Sequence, residues 1–309
     1  MCRKFLGLFF AVLLAPCAAL AHETEAGLAT LWESLWHQSG TPTRIVRWEN
    51  EIRLKLSGVD LAQHRDYILK AIHTVTDEAG IRLVDVSDQP NADKIANFKL
   101  DVVPDTALEN NQPCVTFLDF KTEDKIDFAT MQMRSKDVWR CSYHEAMHLM
   151  GVRGHPSGKT VLSYFPNKVD GLSPLDKVML RGWYSPKMRG GMTPFEALHV
   201  LADEFVASAG AHEKAAASQN RDRFFAQIIG EMQSFAAGRG DIPTIVKRSG
   251  KSTDEGIRRG RSEMSYFLGV AYFEGAVVSP DQKQALSWFE RAASAGNRGA
   301  QSRLAGPGK

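Results

Sequence analysis

The run His144-Glu145-Ala146-Met147-His148-Leu149-Met150-Gly151 constrains this chain more than any other feature. Asp137 stands where a helix can be capped, and Gly151 stands where one ends. On such a helix, positions i and i+4 share a face one turn apart, so His144 and His148 point the same way. Two imidazoles so placed can hold one zinc ion, and the carboxylate of Glu145 can reach a water on that ion. The pentapeptide by itself also fits a helix with two ordinary histidines. Another reading adds Cys114 and Cys141, which with the two histidines have the stoichiometry of a closed Cys2His2 structural zinc site.

The segments before this helix read as a sheet with one helix inserted. Arg47–Leu56 alternates apolar and polar residues at the period of a half-buried strand. Leu61–Ala79 places Leu61, Ile68, Ala71, Ile72 and Val75 at helical spacing, and Gly80 stops it. Ile81–Val86 and Ala96–Val103 read as strands, the latter ended by Pro104. Cys114–Phe120 and Phe128–Met133 read as two more, with Lys121–Lys125 as the turn. The order of elements is that of an α+β fold.

Two stretches flank this unit. Residues 22–46 form an N-terminal arm, with Leu28, Leu31, Trp32, Leu35 and Trp36 on one side of a short helix. After the zinc-type helix, Ser173-Pro174 starts another helix that runs towards Tyr184, with proline just inside it. From Thr193 alanine rises and strand-like alternation disappears. The expected division is 47–192 for the mixed domain and 193–309 for an all-α region.

The first 21 residues read as an export signal. Met1–Lys4 is a short positive start, Phe5–Ala15 an apolar run, and Ala19-Leu20-Ala21 a small-x-small cleavage site. Lipidation at Cys17 is the alternative, and Pro16 directly before it argues against it. No apolar run is long enough for a transmembrane span. Without Arg3 and Lys4, the balance of 38 basic and 36 acidic residues becomes even. With no basic stripe interleaved with aromatics, nothing here asks for nucleic acid. The expected location is the periplasm or the extracellular space, where an even pair of cysteines forms a disulfide by default. Cys114 and Cys141 are that pair.

The longer run HEAMHLMGVRGHP resembles the metzincin zinc-peptidase signature H-E-x-x-H-x-x-G-x-x-H. Gly151 matches its glycine, while His155 stands one residue later than its third histidine. Thr160-Val161-Leu162-Ser163-Tyr164-Phe165 resembles the Met-turn of that family, with Leu162 in place of methionine. Leu172-Ser173-Pro174-Leu175-Asp176 and Trp183-Tyr184 resemble its closing helix, and Asp137–Met192 resembles a family of secreted bacterial zincin-like domains. The resemblance implies a zincin-like fold, a twisted mixed sheet with an antiparallel edge strand, a backing helix and the HExxH helix. It implies Zn2+ on His144, His148 and His155, Glu145 as general base, and Tyr164 as a donor to the oxyanion. A protein or peptide substrate would add to the edge strand.

Tyr266–Gly275 and Asp281–Ala300 carry Leu268, Gly269, Tyr272, Gly275, Ala285, Trp288, Ala292 and Gly296 in an order that resembles the Sel-type repeat, a relative of the tetratricopeptide repeat. The repeat spans about 261–304 and implies a protein partner. Two functions follow: a secreted zinc metallopeptidase with a helical interaction module, or a non-catalytic periplasmic binding or adaptor protein on a zincin scaffold.

Overall fold

The computed structural model describes residues 23–37, 41–109, 111–120, 122, 124–163, 169–248 and 254–306. Five strands, Ile52–Gly58 (β1), Leu83–Asp85 (β2), Phe98–Val103 (β3), Cys114–Asp119 (β4) and Phe128–Arg134 (β5), form one sheet in the order β2-β1-β3-β5-β4. β1 is parallel to β2 and β3, and β3 is parallel to β5. β4 alone runs antiparallel, and it occupies an edge. The parallel pairs need crossovers. Leu61–Glu78 (α2) carries the chain from β1 to β2, and the short Ala92–Ile95 (α3) carries it from β2 to β3.

Register decides which face becomes the core. Leu54 pairs with Phe98, and Phe98 with Ala129, so the alternating residues Ile52, Leu54, Leu56, Phe98, Leu100, Val102, Ala129, Met131 and Met133 share one buried face. Ile68, Ala71, Ile72 and Val75 of α2 are buried, as is most of Val138–Leu149 (α4), and these helices pack together beneath the sheet. The opposite face carries Arg53, Lys55, Lys99 and Gln132 and stays partly exposed.

Two expectations are corrected. The strand expected from Arg47 begins at Ile52. Arg47 and Trp48 are taken instead by distant main chain: Arg47 Nη1 donates to Met188 O at 2.7 Å, and Trp48 Nε1 donates to Leu149 O at 2.8 Å. Asp137 precedes α4 but does not cap it through its side chain. Its carboxylate is held by Arg134 at 2.6 Å and by Arg140 at 2.9 Å, an engagement that leaves the N–H groups at the helix end without Asp137 as acceptor.

The remaining helices are Pro174–Trp183 (α5), Pro194–Ser208 (α6), Lys214–Ala236 (α7), Thr244–Arg248 (α8), Asp254–Glu274 (α9), Gln282–Ser294 (α10) and Arg298–Ala305 (α11). The composition change at Thr193 coincides with the start of α6, where Thr193 and Glu196 form a capping box. One apolar core continues across that point. The N-terminal helix over residues 23–34 (α1) buries Leu28, Leu31 and Trp32, and Trp32 stacks on Phe195 of α6 at 5.4 Å. The arm is therefore packed between the two halves. α9 packs on α10, α7 and α6. Among the described residues, no helix is long and apolar enough to cross a membrane.

Candidate metal centre

His144 and His148 lie on α4 one turn apart. Their Nδ1 atoms are each held by a main-chain carbonyl, Val161 O at 3.0 Å and Val152 O at 2.6 Å. A carbonyl only accepts, so in the neutral imidazole Nδ1 carries the proton and Nε2 the lone pair. The two Nε2 atoms lie 3.1 Å apart. His155 Nε2 completes a triangle, 3.2 Å from His144 and 3.1 Å from His148.

Burial sets the charge state. It holds His144 well below the ordinary imidazole range, with His148 and His155 pushing the same way. It pulls His148 down to about 4 and His155 to about 3, the nearby His148 adding to the latter. All three rings are neutral near pH 7. Lone pairs of His144 and His148 then face each other at 3.1 Å with no proton between them, an arrangement that a cation converts from repulsion to bonding. A triangle of this size has a point at about 2.0–2.1 Å from all three nitrogens, the Zn–N bond length. The donor set fits zinc, and no carboxylate belongs to the cluster.

His155 reaches the pair although it stands one residue late. Gly151 turns the chain at φ +92°, where a Cβ would stand 2.2 Å from Val46 O. The loop then docks on α1. Gly154 N donates to Ser34 O at 3.1 Å, and a Cβ on Gly154 would lie 2.5 Å from Glu33 O. The Glu33 carboxylate accepts from Ser157 N at 2.6 Å and Ser157 Oγ at 2.9 Å. His144 is supported from below. Buried Asp176 accepts from the Thr160 hydroxyl, from Val161 N at 3.2 Å and from Ser173 N at 2.8 Å, which fixes the carbonyl that holds His144 Nδ1.

Glu145 is buried, and burial pushes its carboxyl up to about 7. The opposing influence is Thr116 on β4, whose Oγ1 donates to Glu145 Oε2 at 2.7 Å. A disulfide joins Cys114 to Cys141, bonding β4 to α4 beside this contact. It removes both cysteines from the set of metal donors, which overturns the Cys2His2 alternative. Tyr164 lies outside the described residues, as do the signal segment 1–21 and Cys17.

Thr116 and Glu33 went unrecognised in the sequence. A signal for Thr116 existed: on a strand, residue 116 shares a face with residue 114, so bonding Cys114 to the helix brings Thr116 over it. No comparable signal pointed to Glu33.

The helical region has a family match. Residues 262–297 match the Sel1 repeat. The match covers most of α9 and all of α10, where Gly269 lets Phe289 approach so closely that a Cβ would stand 2.5 Å from its ring. No curated protein and no solved structure matches the chain.

Proposed function

We propose that this protein is an exported zinc-dependent peptidase with a zincin-like, metzincin-related domain over residues 47–192 and a helical module for protein contact over residues 193–309. The observation that carries the reading is the convergence of three neutral Nε2 atoms within 3.2 Å, with a buried carboxylate on the same helix. Bound by His144, His148 and His155, zinc supplies a Lewis acid for the scissile carbonyl and lowers the pKa of a water. In this reading Glu145 would act as the general base, its carboxylate taking the proton of the attacking water and passing it to the leaving amine. Thr116 orients the carboxylate by its hydrogen bond to Oε2. The edge strand β4 is hydrogen-bonded on one side to β5, and its other edge is suited to pair with an extended substrate. Tyr164 is assigned to the oxyanion by the motif resemblance alone.

The test is metal content with peptide cleavage. The purified protein should hold one zinc per chain and cleave members of a broad peptide library, and chelation should abolish cleavage. Glu145→Gln should keep zinc and lose turnover by at least ~10²-fold, the lower range for general-base loss. Zinc binding without cleavage, unchanged in that variant, replaces the peptidase reading with a binding protein on the same scaffold.

A further inference from the structure

Away from the histidines, a groove of about 1190 Å³ opens between α9, the α10–α11 turn and the segment leading into β1. Six arginines line it: Arg44, Arg258, Arg259, Arg261, Arg291 and Arg298. The two carboxylates in its walls are already engaged. Glu255 pairs with Arg259 at 3.7 Å, and Glu263 accepts from Asn297 Nδ2 at 3.1 Å. Among the described residues no carboxylate pairs with the other five arginines. Several guanidinium groups lie over rings within cation–π distance, Arg44 over Tyr266 at 5.2 Å, Arg261 over Phe235 at 5.7 Å and Arg291 over Trp288 at 5.7 Å.

One concave surface thus gathers like charge with little local compensation, in a chain whose overall charge is nearly balanced. Self-repulsion of this kind is relieved by an anionic partner. No lysine lines the groove. A planar guanidinium positioned by a ring offers a two-pronged donor that matches a carboxylate, and it loses less side-chain freedom on binding than lysine does. Tyr266 and Phe267 are buried, which leaves those two rings closed to stacking by nucleobases. Part of the wall belongs to the Sel1 match.

We propose that this groove binds an acidic peptide segment of a partner protein, its carboxylates seated on Arg258, Arg291 and Arg298. The choice of a peptide rests on the interaction role proposed for the repeat, while the groove's anion selectivity stands on its own residues. Neither depends on the zinc site.

Fluorescence anisotropy on the full chain tests this with a labelled peptide of alternating glutamate and serine. A glutamine–serine peptide of equal length and an oligothymidylate serve as the other arms. The glutamate peptide should bind, with affinity falling as salt rises. The triple variant Arg258→Glu, Arg291→Glu, Arg298→Glu should weaken it at least ~10-fold. All three side chains are exposed, so circular dichroism should stay unchanged. Arg298→Glu alone should weaken binding in the same direction and serves as the second variant. Equal binding of the glutamine peptide, or unchanged affinity in the variants, overturns the proposal. Tighter binding of oligothymidylate, lost in the triple variant, overturns the peptide while leaving an anion site. Zinc content and peptide cleavage are unaffected by any of these outcomes.

Discussion

Thr116 Oγ1 donates to Glu145 Oε2 at 2.7 Å, joining the edge strand β4 to the helix α4 at a buried carboxylate one residue from His144. The disulfide between Cys114 and Cys141 lies on the same side of the strand and holds the two elements in that register. Strand, helix and carboxylate therefore form one mechanical unit.

Thr116→Val isolates the hydrogen bond, because valine keeps the shape and loses the donor. A bond to a charged group contributes about 1.5–3 kcal/mol. Peptide turnover should fall roughly 10-fold or more, with zinc content and the far-ultraviolet spectrum unchanged. Wild-type turnover in this variant would mean that Glu145 needs no partner on β4.

The third histidine has its own test. His155→Ala should lower zinc affinity by at least about 10-fold in a competition titration with a fluorescent chelator, and His148→Ala should lose the metal. Glu33→Ala releases the loop that carries His155. Outer partners of metal ligands typically alter affinity by about 10–100-fold, so a loss at the lower end is expected there. Affinity unchanged in His155→Ala would make it a loop residue only.

Cys114→Ser with Cys141→Ser removes a cross-link between residues separated by 27 positions. The chain-entropy relation gives a loss of about 3.5 kcal/mol, read from urea unfolding. Thiol titration of the denatured, unreduced mature protein should find no free thiol from this pair.

Gly151→Ala tests the turn behind α4. The residue sits at φ +92°, and the new Cβ would meet Val46 O at 2.2 Å. Strain of this kind costs about 1–3 kcal/mol, and the backbone clash adds to it. A marked drop in thermal midpoint is expected, with zinc affinity reduced in the fraction that folds.

Much of this was legible in the sequence because it depends on neighbours along the chain. Helix periodicity alone puts His144 and His148 on one face. Alternation alone marks the buried side of β1, and the segments that form β3 and β5 read as strands. The capping pattern at Ser173 and Asp176 marks the start of α5, and the small residues of 262–297 mark the packed pair α9 and α10. The beginning of β1 was misread, since Arg47 and Trp48 keep the alternation but spend their donors on Met188 O and Leu149 O.

The sequence by itself put His144 and His148 on one helix face; tertiary packing brought His155 to them, took Cys114 and Cys141 into a disulfide, and supports the three rings. His155 meets the other two because Gly151 and Gly154 let the loop pass close to Val46 and to Glu33 and Ser34 of α1. Glu145 finds Thr116 because an antiparallel strand inserts at the sheet edge. Asp176 reaches Val161, and through it His144, only after α5 folds back over the loop. The arginine groove likewise joins Arg44 to residues of α9, α10 and α11 far along the chain. Each of these contacts joins segments remote in sequence, whose approach is set by burial of the shared core and not by any local pattern.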